Sequence, residues 1–270
     1  AIAEQGARWV AADNPIFRLS TKEKQAMLTQ AVPYLSPGDE WFEPDLDRTL
    51  PAALDWRNNG GNFVTPVRAQ GDCGSCWAFA SVASAEARHA WRNRLTDPQM
   101  DLSEQQVLSC SGGGNCTLGY CSTALDYLRN SGAADEACFV YAASDLDCNL
   151  RCADWADRAI KIQSWSLVTQ GDYTSTDLIK NALLDGPVTT WFRVYQDFYA
   201  YGGGVYQHVW GSYLGNHFVL IVGWDDATQA WLCKNSWGTY WGGNGGYFWT
   251  AFAGAGCEFG SWTMAATAIP

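Results

Sequence analysis

The residues best suited to chemistry lie in the stretch Gln70-Gly-Asp-Cys-Gly-Ser-Cys-Trp-Ala-Phe79. Cys76 stands where a glycine-rich turn enters a predicted helix, and there free backbone N–H groups and the helix dipole favour a thiolate over a thiol. Cys73 and Cys76 also form a C-x-x-C pair, which suits a redox couple or half of a zinc site. This stretch alone therefore leaves the choice open between a nucleophile, a redox pair and a metal site.

A cysteine nucleophile needs a base that also stabilises it as an ion pair, and the chain has three histidines. His89 lies on a predicted helix and His208 follows a glycine-rich loop, so both positions favour structural packing. His217 opens the apolar stretch Phe218-Val-Leu-Ile-Val222, where a rigid strand can direct it into a cleft. His217 is therefore the best candidate base, although a histidine in this position is more often structural when taken alone.

Three further residues could complete such a site. Asn235 follows the predicted strand Trp231-Leu-Cys-Lys234, and its amide can accept the imidazole N–H and fix the ring orientation, while Trp237 can shield that hydrogen bond from water. The side-chain amide of Gln70 can donate, with the Cys76 backbone N–H, to the oxyanion of a tetrahedral intermediate. Each residue has an ordinary structural explanation by itself, so only the combination predicts a nucleophile–base–orienter site.

Composition excludes several classes of protein. The chain has 270 residues, of which 47% are hydrophobic and 17% charged, as in globular proteins. Its net charge of −11 argues against nucleic acid and anionic membranes as partners. No apolar run approaches the roughly 18 residues that span a membrane, and the first residues lack the pattern of a signal peptide. We expect a monomer that acts on proteins or peptides without a metal or other cofactor.

The ten cysteines are too many for a typical reduced cytosolic enzyme. A disulfide framework in a secreted or periplasmic protein fits them better, because such compartments are oxidising. If Cys76 is a free nucleophile, nine cysteines remain and at least one more thiol is unpaired.

The hydrophobic pattern changes along the chain. Residues 1–49 form an N-terminal arm or short pro-segment, with a short helix after a Ser20 N-cap and then a Pro- and acid-rich link. Helical periodicity dominates residues 50–160, beginning with a small apolar stripe from Cys76 to Arg92. Residues 161–270 contain one further helix and then strands separated by Gly- and Asp-rich turns. The pattern predicts a helical lobe with the nucleophile and a β-rich lobe with the histidine and asparagine, with the site in the cleft between them.

Taken together, these motifs resemble those of the papain-like cysteine peptidases. The C-G-[SA]-C-[WY] signature of that family matches Cys73-Gly-Ser-Cys-Trp77, and His217 follows Cys76 by 141 residues. Asn235 follows it by 159, slightly beyond the usual spacing. The resemblance runs from Leu50 to about Cys257 and includes Val64-Thr-Pro-Val-Arg-Ala-Gln70, Leu102-Ser-Glu-Gln-Gln106, Gly186-Pro-Val188, Lys234-Asn-Ser-Trp-Gly238 and Trp241-Gly-Gly.

The resemblance implies a two-lobed α+β fold, with a helical lobe and an antiparallel β-barrel-like lobe. It implies that Cys76 attacks a peptide carbonyl as a thiolate and that His217 protonates the leaving amine. Asn235 would orient His217, and Gln70 would line the oxyanion hole. The family is also expected to place substrate-binding residues at Gly119, Leu118, Cys121, Trp191, Trp237 and Asn216.

Disulfide pairing is implied in part by the same resemblance, which pairs Cys73 with Cys116 and Cys110 with Cys148. For the others we infer Cys138–Cys152 and Cys233–Cys257, which leaves Cys121 as the odd thiol. Cys121 falls where the family places a residue that lines the pocket for the substrate's second side chain before the cut.

The chain departs from the family pattern in three places. Leu118 replaces a glycine that allows substrate backbone to approach closely, and Trp191 replaces a smaller pocket residue. Both changes predict a narrower or differently shaped subsite. The arm of residues 1–49 is shorter than the usual pro-segment, and we predict that part of it crosses the cleft and limits access to Cys76.

Three functions remain to be separated. The first is a cysteine endopeptidase, favoured over an exopeptidase because no His-rich insertion appears near the active-site helix. The second is a thiol–disulfide oxidoreductase that uses Cys73 and Cys76, which leaves Gln70, His217 and Asn235 unexplained. The third is a non-catalytic peptide-binding relative, which the intact set of candidate residues disfavours.

Overall fold

A computed structural model describes residues 2, 5–34 and 39–268. The chain has a two-lobed α+β fold in which most helices precede most strands. The helices are α1 (Thr21–Ala26), α2 (Cys76–Arg92), α3 (Glu104–Cys110), α4 (Cys121–Asn130), α5 (Trp155–Arg158) and α6 (Thr176–Leu183). The strands are β1 (Arg8–Ala11), β2 (Ala53–Asp55), β3 (Ile162–Gln170), β4 (Val188–Tyr195), β5 (Tyr201–Tyr206), β6 (Tyr213–Asp225), β7 (Ala230–Lys234), β8 (Tyr247–Ala251) and β9 (Trp262–Ala268).

The strands form one sheet in the order β1-β5-β8-β7-β6-β4-β9-β3, and β2 pairs with β6. All the pairs are antiparallel except β5 with β8. The predicted two-lobed α+β class is confirmed, and the strands of the β lobe are largely antiparallel. Among the described strands the path has two free ends and one parallel pair, so the sheet is open.

Helix α2 lies between the helical elements and the sheet. Its apolar positions are mostly alanines, and nearly all of its first fifteen residues are buried. The small side chains allow the helix to pack against β6 and β9 on one side and against α4 on the other. This packing carries Cys76, the first residue of the helix, to the boundary between the lobes.

The arm is attached mainly to the β lobe. β1 pairs with β5, and Trp9 is buried between Tyr201 and Tyr206 while its indole N–H donates to the carbonyl of Gln207 at 2.9 Å. In α1, the side chains of Ser20 and Glu23 form the predicted capping box. The chain then crosses the cleft, and its later part contacts β3, where Trp41 bridges to Leu167.

Periodicity located the strongly patterned elements. The bounds predicted from the hydrophobic pattern, 76–92 for α2 and 230–234 for β7, are those observed. The predicted segments 103–110, 122–130, 176–184, 188–194 and 246–252 lie within a few residues of α3, α4, α6, β4 and β8. β1, β2, β3, β5 and β9 were not predicted. β5 contains three consecutive glycines, which argue against a strand locally. Glycine fits there because a Cβ at Gly204 would lie 2.3 Å from the Arg8 carbonyl oxygen of β1.

The disulfides Cys73–Cys116, Cys110–Cys148 and Cys138–Cys152 are confirmed. The predicted Cys233–Cys257 bond is wrong, because both residues are free thiols, as are Cys76 and Cys121. Cys233 lies in the middle of β7 and Cys257 in the turn after β8, and both pack as small apolar groups in the core of the β lobe. Burial raises the pKa of each thiol, which keeps both protonated.

Among the described residues, no helix combines the length and the apolar character that a membrane span requires. The boundaries at residues 49 and 160 remain predictions.

Candidate active site

Cys76 begins α2 and is completely buried. Its sulfur faces the backbone amides of Phe218, Thr29, Trp77 and Cys76, all of which favour the thiolate. Phe218 adjoins His217 on β6 and Thr29 belongs to the arm. The candidate nucleophile therefore lies where the helical lobe, the β lobe and the arm meet.

His217 and Asn235 form the predicted pair. The imidazole Nε2 lies 2.7 Å from Asn235 Oδ1, while the buried Nδ1 has no hydrogen-bond partner among the described residues. The ring of Trp237 lies 4.9 Å from the imidazole ring and stacks on Tyr199 on its other side. The hydrogen bond to Asn235 engages one ring nitrogen of His217, and the indole of Trp237 covers the pair.

Gln70 is fixed by contacts with three parts of the protein. Its Nε2 donates to the carbonyl oxygens of Cys73 at 2.7 Å and Met27 at 2.9 Å. Its Oε1 accepts from the Ser236 hydroxyl at 2.6 Å. The amide that was predicted to stabilise an oxyanion therefore already holds a peptide carbonyl of the arm.

Arm residues 27–31 lie in the cleft over Cys76. Thr29 and Asn216 exchange two backbone hydrogen bonds of 3.0 Å, as in an antiparallel pair. The Asn216 side chain donates to the carbonyl of Ala31 at 2.9 Å, and the backbone N–H of Gly119 donates to Thr29 Oγ1 at 3.1 Å. Met27, Leu28, Thr29 and Ala31 are all buried. The arm thus occupies the site through hydrogen bonds that an extended peptide can make.

The predicted substrate-binding residues are not all found together. Gly119, Asn216 and Trp191 contact the arm, and Trp191 Nε1 approaches the Ala31 carbonyl at 3.4 Å. Leu118 is 40% exposed, next to the contact that Gly119 makes with the arm. The Cys121 thiol instead donates to the carbonyl of Trp77 in α2, at 3.4 Å. Its placement as a pocket-lining residue gains no support from that contact.

Burial controls the charges of the site. Desolvation raises the pKa of Cys76 to about 12, although the surrounding amides lower it. Desolvation also lowers the pKa of His217 to about 4, against the opposing effect of Asn235. At neutral pH the pair is therefore a thiol and a neutral imidazole while the arm is in place. The thiolate expected from the helix N-terminus alone is not favoured, because exclusion of water outweighs the amide dipoles.

A buried relay connects the two lobes behind the site. Lys234, which precedes Asn235, donates to Thr65 Oγ1 at 2.9 Å, and that hydroxyl donates to Glu86 of α2 at 2.5 Å. The other carboxylate oxygen of Glu86 accepts from the backbone N–H of Leu102 at 2.8 Å. The relay therefore links the strand before Asn235 to the helix that carries Cys76.

Sequence reasoning missed several residues that hold the site together. Met27 and Thr29 lie in the arm without any recognisable motif, and Ser236 was noted only as part of a turn. Tyr141 was not considered, although its hydroxyl donates to the Gln70 carbonyl at 2.8 Å. A lone tyrosine 65 residues after Cys76 gives no signal in the sequence, because only folding brings it to the site.

The other two histidines lie outside this group of contacts. His208 Nδ1 lies 3.1 Å from the buried Asp197 carboxylate, and its ring stacks on Tyr195. His89 is half-buried near the C-terminal end of α2, away from Cys76 at the start of that helix and from the arm contacts described above. Among the described residues, no cluster of His, Cys, Asp or Glu side chains could hold a metal ion.

Residues 50–267 match the family described as papain family cysteine protease. This chain belongs to that family. Cathepsin B-like CP3 of Giardia intestinalis is 33% identical over 252 residues, covering 89% of this chain and 83% of the relative. A cathepsin L-like proteinase of Fasciola hepatica is 35% identical over 205 residues, covering 74% of this chain and 60% of the relative. The chain is therefore a cysteine peptidase, a hydrolase whose substrates are peptides.

Solved structures of precursor forms resemble the fold over nearly its whole length. Procathepsin B S9 from Trypanosoma congolense superposes with a TM-score of 0.86 at 24% identity, covering 100% of this chain and 96% of that chain. The proform of the ragweed pollen protease Amb a 11 gives a TM-score of 0.81 at 27% identity, with 100% and 85% coverage. The likeness extends beyond the family match and includes the arm.

Replacing Trp9 should make Cys76 more reactive. Trp9→Ala removes a buried anchor of the arm, and loss of a buried tryptophan costs about 3 kcal/mol, which corresponds to roughly 100-fold in arm opening. Alkylation of Cys76 by iodoacetamide at pH 7, localised by mass spectrometry, should accelerate by about that factor. Val10→Ala on the same strand is the matched control, because Val10 is 61% exposed. Equal rates in both variants would contradict an arm held over the thiol.

Acid should loosen the arm. The covered state lowers the pKa of His217 from 6.5 to about 4, so it is stabilised above pH 6.5 and loses that stabilisation as the pH falls toward 4. The test uses the Cys76→Ser protein, in which no thiol can give its proton to His217 when the arm lifts, so lifting the arm changes only the protonation of that imidazole. Exchange protection of the Thr29 and Gln30 amides, corrected for intrinsic rates, should fall on the order of tenfold between pH 7 and pH 5. The β7 amides serve as the reference, and unchanged protection at Thr29 would contradict the expectation.

Proposed function

We propose that the chain is a cysteine endopeptidase that uses Cys76, His217, Asn235 and Gln70, and that its arm restrains it. The observation that carries this proposal is a peptide carbonyl, that of Met27, accepting a hydrogen bond from Gln70 Nε2 in the cleft over Cys76. The cleft thus already binds extended peptide with the groups that the reaction requires. The choice of endopeptidase over exopeptidase still rests on the sequence.

The reaction begins when the arm leaves and water reaches the buried pair. The proton of the Cys76 thiol passes to His217, which gives a thiolate and an imidazolium. The sulfur attacks the scissile carbonyl, and the tetrahedral intermediate collapses to a thioester as His217 gives its proton to the leaving amine. Water then attacks the thioester while neutral His217 takes its proton, and Cys76 is regenerated as the acid product departs.

Two residues assist without forming bonds to substrate carbon. Asn235 holds Nε2 of His217, so the other nitrogen remains free for the proton transfers. The Gln70 amide and the Cys76 backbone N–H donate to the oxyanion, a contribution of about 10²–10³ in rate for a single donor in other hydrolases.

The arm acts as an intramolecular inhibitor in this proposal. It covers Cys76, engages Gln70 and keeps the Cys76–His217 pair uncharged by excluding water. Its anchors at β1 and α1 lie outside the reacting atoms, so removal of the arm together with these anchors opens the cleft without removing any of the four catalytic residues.

The disulfides indicate an oxidising compartment. We infer that the protein is secreted or periplasmic and acts as a monomer. The oxidoreductase alternative is weakened because Cys73 is bonded to Cys116, so Cys76 has no redox partner in its own motif. The non-catalytic alternative does not explain why the arm accepts a hydrogen bond from Gln70.

Replacement of the nucleophile tests the function. After release of the arm by mild proteolysis, the protein should cleave a dipeptidyl fluorogenic substrate under reductant, and an epoxide thiol inhibitor should block it. Cys76→Ser should lower the rate at least about 10⁴-fold with the fold retained. Cys257→Ser, at another free buried thiol, is the control and should remain active. Cleavage by Cys76→Ser, or turnover lost in a well-folded Cys73→Ser protein, would reject the peptidase mechanism.

Trp191 should restrict one subsite to small side chains. The amide of Thr29 faces the Cys76 sulfur, and Ala31, two residues further, is completely enclosed next to the Trp191 indole. The family resemblance places a pocket residue at position 191, so a substrate side chain in that pocket should meet the same indole. Because a close-packed site resists extra methylenes, little larger than a methyl group fits.

A peptide library with each position around the cut varied in turn tests this subsite, and the position that meets Trp191 is the one at which Trp191→Ala changes the preference. Alanine should give a kcat/KM at least about tenfold above leucine or phenylalanine, and Trp191→Ala should reverse that order. Trp191→Phe guards against a folding defect, and Trp210→Ala, at an exposed indole, should leave the preference unchanged. Equal acceptance of alanine and leucine by the wild type would count against the role of Trp191.

A further inference from the structure

We propose that Tyr141 is a positioning residue that holds both donors of the oxyanion site in register. This inference rests on the proposed function, because it assigns Tyr141 a part in that reaction. Tyr141 lies in the loop closed by the Cys138–Cys152 disulfide and touches neither Cys76 nor the arm through any hydrogen bond among the described residues. It acts through Gln70 and Ser75.

One hydroxyl joins the two donors. Tyr141 Oη donates to the backbone carbonyl of Gln70 at 2.8 Å, and its lone pair faces Ser75 Oγ at 2.6 Å. Because the single phenolic proton is used on Gln70, Ser75 is the donor in the second bond. Ser75 immediately precedes Cys76, whose backbone N–H is the second oxyanion donor. The chain Gln70–Tyr141–Ser75 thus connects both donors through one atom.

The hydrogen bond from Tyr141 ties Gln70 to a later segment of the helical lobe. Ser236 holds the side-chain oxygen, and its own carbonyl accepts the Gln70 backbone N–H at 2.9 Å. Both of those contacts come from the β lobe. Tyr141, together with the Cys73 carbonyl that accepts from Gln70 Nε2 at 2.7 Å, therefore sets where Gln70 lies relative to the start of α2, while Ser236 sets where it lies relative to Asn235.

The tyrosine is itself rigidly placed. Its ring meets that of Phe79 edge-on at 4.8 Å, and its backbone N–H donates to Glu136 at 2.7 Å. Both Gln70 and Ser75 are fully buried, so bulk water cannot take the place of the Tyr141 hydroxyl as their hydrogen-bond partner. Burial raises the pKa of Tyr141, which keeps the hydroxyl protonated as the donor to Gln70.

Removal of the hydroxyl should affect the transition state and not substrate binding. Tyr141→Phe keeps the ring against Phe79 and frees the Gln70 carbonyl and the Ser75 hydroxyl. We expect kcat to fall about 3- to 10-fold, the effect of one net hydrogen bond, with KM unchanged. Oxyanion donors act mainly on the tetrahedral intermediate, so a loss confined to kcat is the signature of a displaced oxyanion site.

The control is Tyr127→Phe. Tyr127 is also half-buried in the helical lobe, and its hydroxyl accepts from Gln106 Nε2 at 3.0 Å, away from Gln70. The enzymes are assayed after release of the arm, with active sites titrated by an epoxide inhibitor and melting temperatures recorded. Tyr127→Phe should match Tyr141→Phe in stability loss but keep wild-type kcat.

A double-mutant cycle with Gln70 gives the decisive comparison. If Tyr141 acts by placing the Gln70 amide, most of its effect on kcat should vanish in a Gln70→Ala background. Three results would overturn the proposal. These are a Tyr141→Phe effect on kcat that is as large in the Gln70→Ala protein as in the wild type, an unchanged kcat in Tyr141→Phe, or an equal loss of kcat in Tyr127→Phe. Failure of the proposed function is distinguishable, since the wild type would then not cleave peptide or Cys76→Ser would cleave equally well.

Discussion

The exclusion of water from the Cys76–His217 pair is the constraint on which the rest of this structure depends. A thiolate–imidazolium pair needs solvation or compensating dipoles, and the arm removes the first while the α2 amides supply only part of the second. The site is therefore fully assembled and yet uncharged. Assembly and activation are separate events, and only the second requires the chain over the cleft to move.

The arm remains in place because its contacts are distributed. Trp9 and β1 extend the sheet of the β lobe, the Thr29–Asn216 pair spans the cleft, and Trp41 meets β3 beyond it. Within the cleft the arm makes hydrogen bonds to groups that also suit a substrate and buries Met27 and Leu28, whereas the Trp9 anchor lies outside it. The anchor outside the cleft and the contacts within it thus hold the arm over the site together.

Particular elements show where sequence reasoning succeeded and failed. The start and end of α2 and of β7 were predictable because their hydrophobic periods and flanking turns are strong. β5 was not, because its glycines are explained only by the close approach of β1. The Cys233–Cys257 pairing failed because cysteine counting cannot distinguish a bond from two apolar thiols in one core. Tyr141 gave no signal because its partners lie far away in sequence.

The sequence by itself indicated the family and the proposed reacting groups: Cys76, His217, Asn235 and Gln70 stand in local motifs whose order and spacing resemble those of the family. The tertiary structure decided the state of those groups. Whether Cys76 carries charge, which thiols remain free and what occupies Gln70 depend on burial and on contacts between distant segments. Residue types and their local neighbours are encoded along the chain, whereas desolvation depends on what surrounds a group in space.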